Sequence, residues 1–299
     1  MSTVAPPPAT ATESIVTNNA APTRGRRRTP ASRVALYVVL IVISLIFLIP
    51  MAWGISSAFK ARSDIFEYPP RLIPAHPTLA NFAAILTEQP FFSWFLVSTI
   101  VAVISTAVAV FLCSLAGFGF AKYEFRGKNA LFDLMFSSLT VPFAVIIVPL
   151  FILLAITHTA NAWFALIVPW VAPAFGIFMM RQFVEQSVPD EIIDAARLDG
   201  SSEFQIFWSI VLPLLRPALG ALAVWNFLNS YNSFLWPLIV VSDPNQYTLP
   251  LGLQALFGAE GRQYDLVLAG SVLAAIPSLI VFFLLRKQLL DGLAAGAVK

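Results

Sequence analysis

Five long stretches without a charged residue constrain this chain more than any other feature of its sequence. No Asp, Glu, Lys or Arg occurs over 26, 33, 47, 26 and 20 consecutive residues, at 34–59, 89–121, 134–180, 217–242 and 266–285. The hydrocarbon core of a bilayer is about 30 Å thick and takes about 20 helical residues. Four stretches each hold one crossing, but 47 helical residues would extend about 70 Å, so the third holds two. The sequence predicts an all-α membrane protein with six transmembrane helices.

The same stretches predict the domain organisation. Residues 1–33 are expected to form a disordered, basic cytoplasmic tail, because their Pro, Ala, Thr and Arg residues cannot bury apolar area. The apolar run that follows exceeds the about 7–15 apolar residues of a signal peptide, so it predicts a first membrane helix. The transmembrane domain covers 34–299 and is expected to reverse direction at Thr157–Asn161. Its helices are predicted at about 34–59, 91–120, 132–156, 162–180, 218–241 and 266–285.

The distribution of basic residues predicts the orientation. With the N-terminus inside, 14 basic residues fall on the cytoplasmic side: five in the tail, and three each between helices 2 and 3, around the connection between helices 4 and 5, and at the C-terminus. Four remain outside: Lys60, Arg62, Arg71 and Arg262. Because Lys and Arg concentrate in cytoplasmic segments, both termini are predicted to be cytoplasmic.

Composition excludes several classes of protein. Hydrophobic residues make up 58% of the chain and charged residues 11%, against about 45–50% and about 25% in soluble domains. A water-soluble fold is therefore excluded, and the bilayer is the expected surroundings. A net charge of +2 gives no indication of nucleic acid binding. With one cysteine and two distant histidines, neither an internal disulfide nor a metal cluster is expected.

The sequence carries no motif for catalysis. There is no G-x-x-x-x-G-K-[ST] phosphate loop, no G-x-S-x-G nucleophile elbow and no H-E-x-x-H zinc motif. The charge-free helix cores also lack the paired polar groups that an intramembrane enzyme needs. We therefore expect no catalytic, cofactor-binding or metal-binding residues, and a chain that does not hydrolyse ATP by itself.

The cytoplasmic connection between helices 4 and 5, at about 185–215, is the most informative stretch. Six of the 16 acidic residues lie between Arg181 and Arg216. Ser187-Val-Pro-Asp190 predicts a helix start with Ser187 as the N-cap. Asp199-Gly200 predicts its end, since Gly adopts the left-handed conformation without a Cβ penalty.

A second short helix is predicted directly after this turn. Ser202 and Gln205 have the spacing of a capping box, and an apolar stretch continues from there to Pro213. Two short helices with a turn between them are therefore expected to project from the membrane.

These residues resemble a known family. Asp194-Ala-Ala-Arg-Leu-Asp-Gly-Ser-Ser-Glu-Phe-Gln-Ile-Phe-Trp-Ser-Ile-Val-Leu-Pro213 is similar to the EAA loop of ABC importer permeases, E-A-A-x-x-D-G-A followed by an apolar stretch and L-P. Asp194 stands where the family usually has Glu, and Ser201 where it usually has Ala. The shorter Asp194 side chain keeps the carboxylate and changes only its reach.

The resemblance implies that this loop couples the membrane domain to an ATPase. In the family the loop forms a coupling helix that docks in a groove of the ATPase subunit. The small residues would permit close approach, and the acidic ones would cap or pair at the interface. The coupling residues implied in this way are Asp194, Ala195, Ala196, Asp199, Gly200, Leu212 and Pro213. The alternative is an amphipathic helix pair beside the membrane that has no partner.

Further segments are similar to carbohydrate importer permeases of the maltose-transporter type. They are 231–244, 247–252, 269–277 and the tail 292–299, which in that type reaches the ATPase dimer. The resemblance covers about residues 34–299 and implies the type I ABC importer permease fold. It also implies four partners or partner groups: a second homologous permease, an ABC ATPase dimer that binds ATP and Mg²⁺, an extracellular solute-binding protein and the bilayer. Ser233 departs from the family, which often has an acid there.

Helix 5 carries polar side chains that are unusual at bilayer depth. Asn226, Asn229, Ser230 and Ser233 recur at i, i+3, i+4 and i+7, which predicts one shared helix face. Such groups need partners or water, and a sugar pathway would use both amides and aromatic rings. The pathway residues proposed on this basis are Asn226, Asn229, Tyr231, Asn232 and Ser233. Hydrogen bonding between helices at a permease dimer interface explains them equally well.

The sequence thus predicts a transport subunit that moves a mono- or oligosaccharide by alternating access. Two alternatives remain at this point. One is an ABC importer permease for a non-sugar solute, such as a polyol phosphate or a polyamine. The other is an ATP-independent secondary transporter, which would need no ATPase partner.

Overall fold

The computed structural model of the chain describes residues 30–159, 163–258 and 263–297, with side chains described for 34–159, 163–258 and 263–288. The predicted tail up to residue 29, and Ala160 and Asn161 of the predicted reversal, lie outside the described residues. Regular structure in the described part is entirely helical. The α-helices are α1 (Pro30–Ser57), α2 (Ala80–Thr87), α3 (Phe91–Lys122), α4 (Lys128–Ser137), α5 (Phe143–Ile156), α6 (Trp163–Ile167), α7 (Ala174–Ser187), α8 (Asp190–Leu198), α9 (Glu203–Ile206), α10 (Leu212–Leu214), α11 (Arg216–Tyr231), α12 (Leu235–Val240), α13 (Leu249–Ala255) and α14 (Tyr264–Ala297).

Four helical stretches are long and apolar enough to cross a membrane by themselves. They are Val34–Ser57, Phe91–Lys122, Trp163–Ser187 and Tyr264–Gln288. Two further stretches pass the same test as bent pairs, Lys128–Thr140 with Phe143–Ile156 at 108° and Glu203–Leu214 with Arg216–Tyr231 at 81°. By length and composition, the described residues therefore hold four to six candidate membrane spans.

The chain divides into two compact units, residues 1–50 and 51–299. In the first unit, every side chain from Val34 to Pro50 is exposed. An all-round apolar helix of this kind is stable in lipid, where it satisfies its own backbone hydrogen bonds.

The span predicted at about 132–156 consists of two helical pieces in the structure. A short 3₁₀ turn, Ser138–Thr140, ends the first piece, and α5 begins at Phe143 after a bend of 108°. Pro142 causes the break, because the residue before a proline is forced out of the helical region. Val141 accordingly has φ −81° and ψ 118°.

Prolines also divide the predicted helices 162–180 and 218–241. The first consists of α6, a 3₁₀ turn at Val168–Trp170 and α7, with extended backbone at Pro173. The second ends at Tyr231 and resumes as α12. Pro237 explains that gap, since a proline ring inside a helix clashes with the carbonyl four residues earlier, here that of Ser233.

In the second unit α3 is the central helix. It packs against α7 and α11, and α11 packs in turn against α14. Small residues allow close approach: a Cβ added at Gly117 of α3 would lie 2.7 Å from the backbone nitrogen of Arg181 and from Cβ of Met180. Close packing of this kind is how helices associate where lipid removes the hydrophobic driving force.

Candidate functional site

The loop between α7 and α11 begins at a different residue from the one the sequence indicated. The predicted N-cap, Ser187, is the last residue of α7. Pro189 is the actual N-cap of α8, with extended backbone and no side-chain cap. Because α7 continues seven residues beyond the predicted end at 180, about two turns, Ser187 is already a helical residue. The two acids of the first turn, Asp190 and Glu191, still complement the positive end of the helix dipole.

The end of α8 confirms the predicted glycine turn. Gly200 has φ +84°. The Gly200 amide donates to the carbonyl of Arg197, and the Ser201 amide donates to the carbonyl of Ala196, each at 3.0 Å. These two bonds form a Schellman motif, which requires a left-handed residue at the glycine position.

The predicted capping box after this turn is also present. The Gln205 amide donates to Oγ of Ser202 at 3.3 Å, and the Ser202 amide donates to Oε1 of Gln205 at 2.9 Å. The helix continues through a π-helical stretch, Phe207–Val211, into α10. The whole segment 203–214 then turns by 81° into α11. We call residues 190–214 the coupling loop, after the role that the resemblance implies.

The coupling loop has one side in the protein core. Ile193 and Ala196 of α8 are buried, as are Ile206, Phe207 and Val211. They pack with residues of α3 and α7, including Phe118, Met180 and Val184. Ala196 therefore packs against its own chain, and the coupling role implied for it stays a prediction.

The other side of α8 is exposed. Ala195, Asp194 and Asp199 are exposed, and Leu198 at the end of the helix is 90% exposed. Leu212 is half-buried against the core, and Pro213 is exposed. The exposed surface thus combines small, apolar and acidic side chains from most of the residues that the sequence singled out.

A set of charged and polar contacts fastens the coupling loop to the end of α3. Nζ of Lys122 lies 2.6 Å from Oδ1 of Asp190. The Tyr123 hydroxyl donates to Glu203, which also accepts from Nε of Arg197 at 2.8 Å. Arg197 reaches Asp194 as well, at 3.2 Å. We call Tyr123, Arg197 and Glu203 the loop clamp.

The loop clamp shifts the ionisation of its members. The hydrogen bond from Arg197, followed by that from Tyr123, holds the pKa of Glu203 below its usual range. Burial, followed by the hydrogen bond to Glu203, raises the pKa of Tyr123. A carboxyl with a lowered folded-state pKa contributes stability above its unfolded pKa, and this stability is lost as the pH falls through the folded value. Glu203 is therefore ionised in the loop clamp at neutral pH, and its bonds to Arg197 and Tyr123 weaken in acid.

We expect Glu203→Gln to loosen the coupling loop at neutral pH, because the neutral amide cannot accept charge-assisted bonds from Arg197. The measurement is hydrogen exchange of residues 199–206 by mass spectrometry, which should become faster than in wild type. Glu185→Gln is the control, since it removes a carboxylate that pairs with Arg181 within α7. Equal exchange in the two variants would contradict a role for the loop clamp.

The polar residues of the predicted pathway divide into two groups. Asn226 and Tyr231 are buried: Nδ2 of Asn226 lies 3.5 Å from Oγ1 of Thr106 in α3, and the Tyr231 hydroxyl donates to the Ala274 carbonyl at 3.1 Å. Asn229 and Asn232 are exposed. Ser233 follows the end of α11, so the prediction that it shares a helical face with the others is wrong.

A groove of ≈ 390 Å³ adjoins the end of α11. Tyr231 and Asn232 contribute to its wall, together with Gln254 and Phe257 from the α13 region and Ser271 of α14. Amide, hydroxyl and aromatic groups thus lie side by side at the end of a membrane helix. In the described residues, no group of three or more His, Cys, Asp or Glu side chains could hold a metal ion.

Sequence reasoning missed the loop clamp and its neighbour Lys122. Tyr123 and Glu203 are 80 residues apart, and Lys122 and Asp190 are 68 apart. The only local signal was that Lys122 and Tyr123 end an apolar run and that an acid-rich segment must lie on the same side of the membrane. That signal does not indicate which acidic residue each of these two side chains contacts.

The sequence matches the family described as binding-protein-dependent transport system inner membrane component over residues 109–294. It also matches the serpentine type 7TM GPCR chemoreceptor Srh family over residues 13–178. The second match covers the N-terminal apolar runs, which any protein with several membrane helices shares. The first includes the whole coupling loop, and only the first agrees with the relatives and the fold.

Two relatives that are similar in sequence to this chain are named as permease proteins of transport systems. The arabinooligosaccharides transport system permease protein AraQ of Bacillus subtilis (strain 168) is 34% identical over 270 residues, 89% of this chain and 96% of that protein. The lactose transport system permease protein LacG of Rhizobium radiobacter is 32% identical over 275 residues, 92% of this chain and 98% of that protein.

A solved structure has a similar fold. A chain in the crystal structure of a bacterial ABC transporter involved in the import of the acidic polysaccharide alginate matches with a TM-score of 0.74. The match covers 87% of this chain and 98% of that chain at 19% identity.

Proposed function

Because the chain belongs to the family of binding-protein-dependent transport system inner membrane components, we propose that it is the permease subunit of an ATP-driven importer of a mono- or oligosaccharide. It is a multi-pass protein of the inner membrane. The relatives designated for arabinooligosaccharides and lactose support the sugar assignment.

The observation that carries this proposal is the coupling loop. Its helix α8 is anchored in the core by Ile193 and Ala196, and it presents Leu198, Ala195 and two acids outward. A single exposed leucine is ordinary, but this one stands at the tip of a short helix fixed by a Schellman motif and by the loop clamp. A rigid projecting helix with an exposed apolar tip is suited to fit a groove on another protein, here the ATPase.

The proposal includes six crossings with both termini in the cytoplasm. The bent pair α4 and α5 then forms the third span, and α11 with α12 forms the fifth, so residues 203–214 precede that span. The 16 residues of α11 extend about 24 Å, which falls short of the about 30 Å hydrocarbon core, so α12 completes the crossing. The excess of basic residues on the cytoplasmic side supports this orientation.

Transport in this proposal proceeds by alternating access. ATP closes the ATPase dimer, the coupling loops of two permeases move together, and the membrane helices open outward to receive solute from an extracellular solute-binding protein. The permease contributes no covalent chemistry, and ATP and Mg²⁺ act on the ATPase. The role of the permease is to interact with different strength in the two states of the transport cycle. Only such a difference in interaction free energy can shift the equilibrium between the states.

The experiment that tests the proposal is affinity purification of the tagged chain, followed by uptake in proteoliposomes. We expect an ABC ATPase and a second permease to copurify, and uptake of oligosaccharides such as arabino-oligosaccharides or lactose to require ATP and the binding protein. Uptake by the chain alone without ATP would favour a secondary transporter. ATP-dependent uptake of a polyamine or a polyol phosphate in place of sugars would support the importer assignment but contradict the assignment of a sugar as the solute.

The exposed amides near the end of α11 give a further test of the pathway. We propose that Asn229 and Asn232 face the solute: each Nδ2 donates to a carbonyl one turn earlier, at 2.8 Å, and the exposed remainder of each amide can bind water or a hydroxyl. Asn229→Leu and Asn232→Leu should raise the KM of uptake while the subunits still copurify. Asn226→Leu, at the buried amide, should change thermal stability and leave that KM unchanged. Loss of the second permease from both exposed-site variants would instead indicate a dimer interface.

A further inference from the structure

The second half of the coupling loop lies across the direction of the membrane helix that follows it. Residues 203–214 meet α11 at 81°. The inference rests on the membrane crossing proposed for α11, which puts the 203–214 segment close to the membrane plane, beside the end of α3, where Tyr123 bonds Glu203. One side of it is fixed by buried Ile206, Phe207 and Val211, so the side turned away from the core is also fixed.

That outer side carries two aromatic side chains. Phe204 is 61% exposed and Trp208 is 57% exposed. Their rings stack, with centroids 6.2 Å apart and planes at 19°. Tryptophan and phenylalanine on the outward side of a helix parallel to the membrane are typical of insertion into the headgroup and acyl boundary.

An apolar groove of ≈ 380 Å³ opens beside Phe204. Its wall is almost entirely apolar and comes from the last turns of α3 and the start of the 203–214 segment: Leu115, Phe118, Gly119, Tyr123, Glu203, Phe204 and Phe207. The two polar members, Tyr123 and Glu203, already bond each other. The wall is therefore mainly apolar, which favours a hydrocarbon chain over a peptide or a sugar as the occupant.

The groove is continuous with an exposed apolar stripe of α3. Phe111, Leu112, Leu115 and Gly119 follow the spacing of a single helix stripe, and the first three are exposed large apolar side chains. At Gly119 the stripe loses its side chain, and a Cβ added there would meet no atom within 4 Å. The missing side chain leaves room that a flexible hydrocarbon chain can fill.

We propose that this groove binds an acyl chain of a phospholipid from the leaflet on the coupling-loop side, with Phe204 and Trp208 anchoring the loop in that leaflet. The bound chain packs between α3 and the 203–214 segment, so it stabilises the position of the coupling loop relative to the membrane helices. The inference concerns lipid and goes beyond the transport function proposed above.

The first experiment measures contact between Trp208 and lipid. Trp208→Cys is labelled with an environment-sensitive fluorophore in a Cys113→Ser background, and the assembled transporter is placed in nanodiscs of phospholipid brominated on the acyl chains. We expect strong quenching at position 208. Leu198→Cys at the exposed end of α8 is the matched control and should be quenched little. No quenching at 208, or quenching no stronger than at 198, overturns the proposal.

The second experiment fills the groove. Gly119→Leu places a side chain into the space for the acyl chain, whereas Gly54→Leu adds the same side chain at another open helical position. We expect Gly119→Leu to lose one tightly retained phospholipid per permease in native mass spectrometry after delipidation, and Gly54→Leu to retain it. Both proteins should stay folded. Equal lipid retention in folded Gly119→Leu overturns the proposal, whether or not uptake persists.

Discussion

Gly200→Val should uncouple ATP hydrolysis from uptake while the full-length protein remains in the membrane. Gly200 has φ +84°, and a Cβ there would meet no atom within 4 Å, so the whole effect comes from the backbone. A left-handed conformation costs a residue other than glycine about 1–2 kcal/mol, and a β-branched residue is especially unfavourable there. Because 1.4 kcal/mol is tenfold in an equilibrium, we expect uptake to fall about tenfold or more as α8 leaves its native position.

Two glycines provide matched controls for this experiment. Gly127 has φ +86° and open space around it, so Gly127→Val imposes the same strain on the turn between α3 and α4. Gly54→Val adds the same side chain in open space without a positive φ. Both variants should retain solute-stimulated ATPase activity and uptake. Normal uptake by Gly200→Val, or an equal loss in Gly127→Val, would contradict a specific role for the turn after α8.

Gly117→Ala should destabilise the protein, and Gly119→Ala should not. A Cβ at Gly117 would approach the backbone of α7 at Arg181 and Met180 to 2.7–2.8 Å, and a helix backbone cannot move aside like a flexible side chain. Overpacking of this kind costs about 1–3 kcal/mol. A Cβ at Gly119, on the same helix, meets nothing, so alanine there should gain about 0.5–1 kcal/mol from the lower conformational entropy of the unfolded chain.

The measurement for this pair is thermal unfolding of the purified protein in detergent, with yield as a second readout. The two variants should shift the Tm in opposite directions. Because α3 and α7 together hold the coupling loop, Gly117→Ala should also lower ATPase stimulation. A similar Tm for both variants would mean that α3 and α7 are not in the close contact described here.

Local signals in the sequence predicted the coupling loop well. The glycine turn at Gly200 and the capping box at Ser202 depend on residues within five positions of one another, and both are present. The N-cap at Ser187 was wrong because α7 extends through it, and how far a helix continues depends on packing as well as on sequence. The helix breaks before Phe143 and Leu235 were missed because hydropathy reports the surroundings of side chains and not the continuity of the backbone.

The sequence by itself determined where the apolar stretches lie, which residues form the turn after α8, and which family the loop resembles. Those features depend on solvation and on local backbone conformation, which neighbouring residues fix. Only the tertiary structure decided that Glu203 meets Tyr123, 80 residues away, that Asn226 is buried while Asn229 is exposed, and that Gly119 borders an open groove while Gly117 touches α7. In each case the rotation of one helix against another makes the difference, and composition, spacing and charge do not specify that rotation.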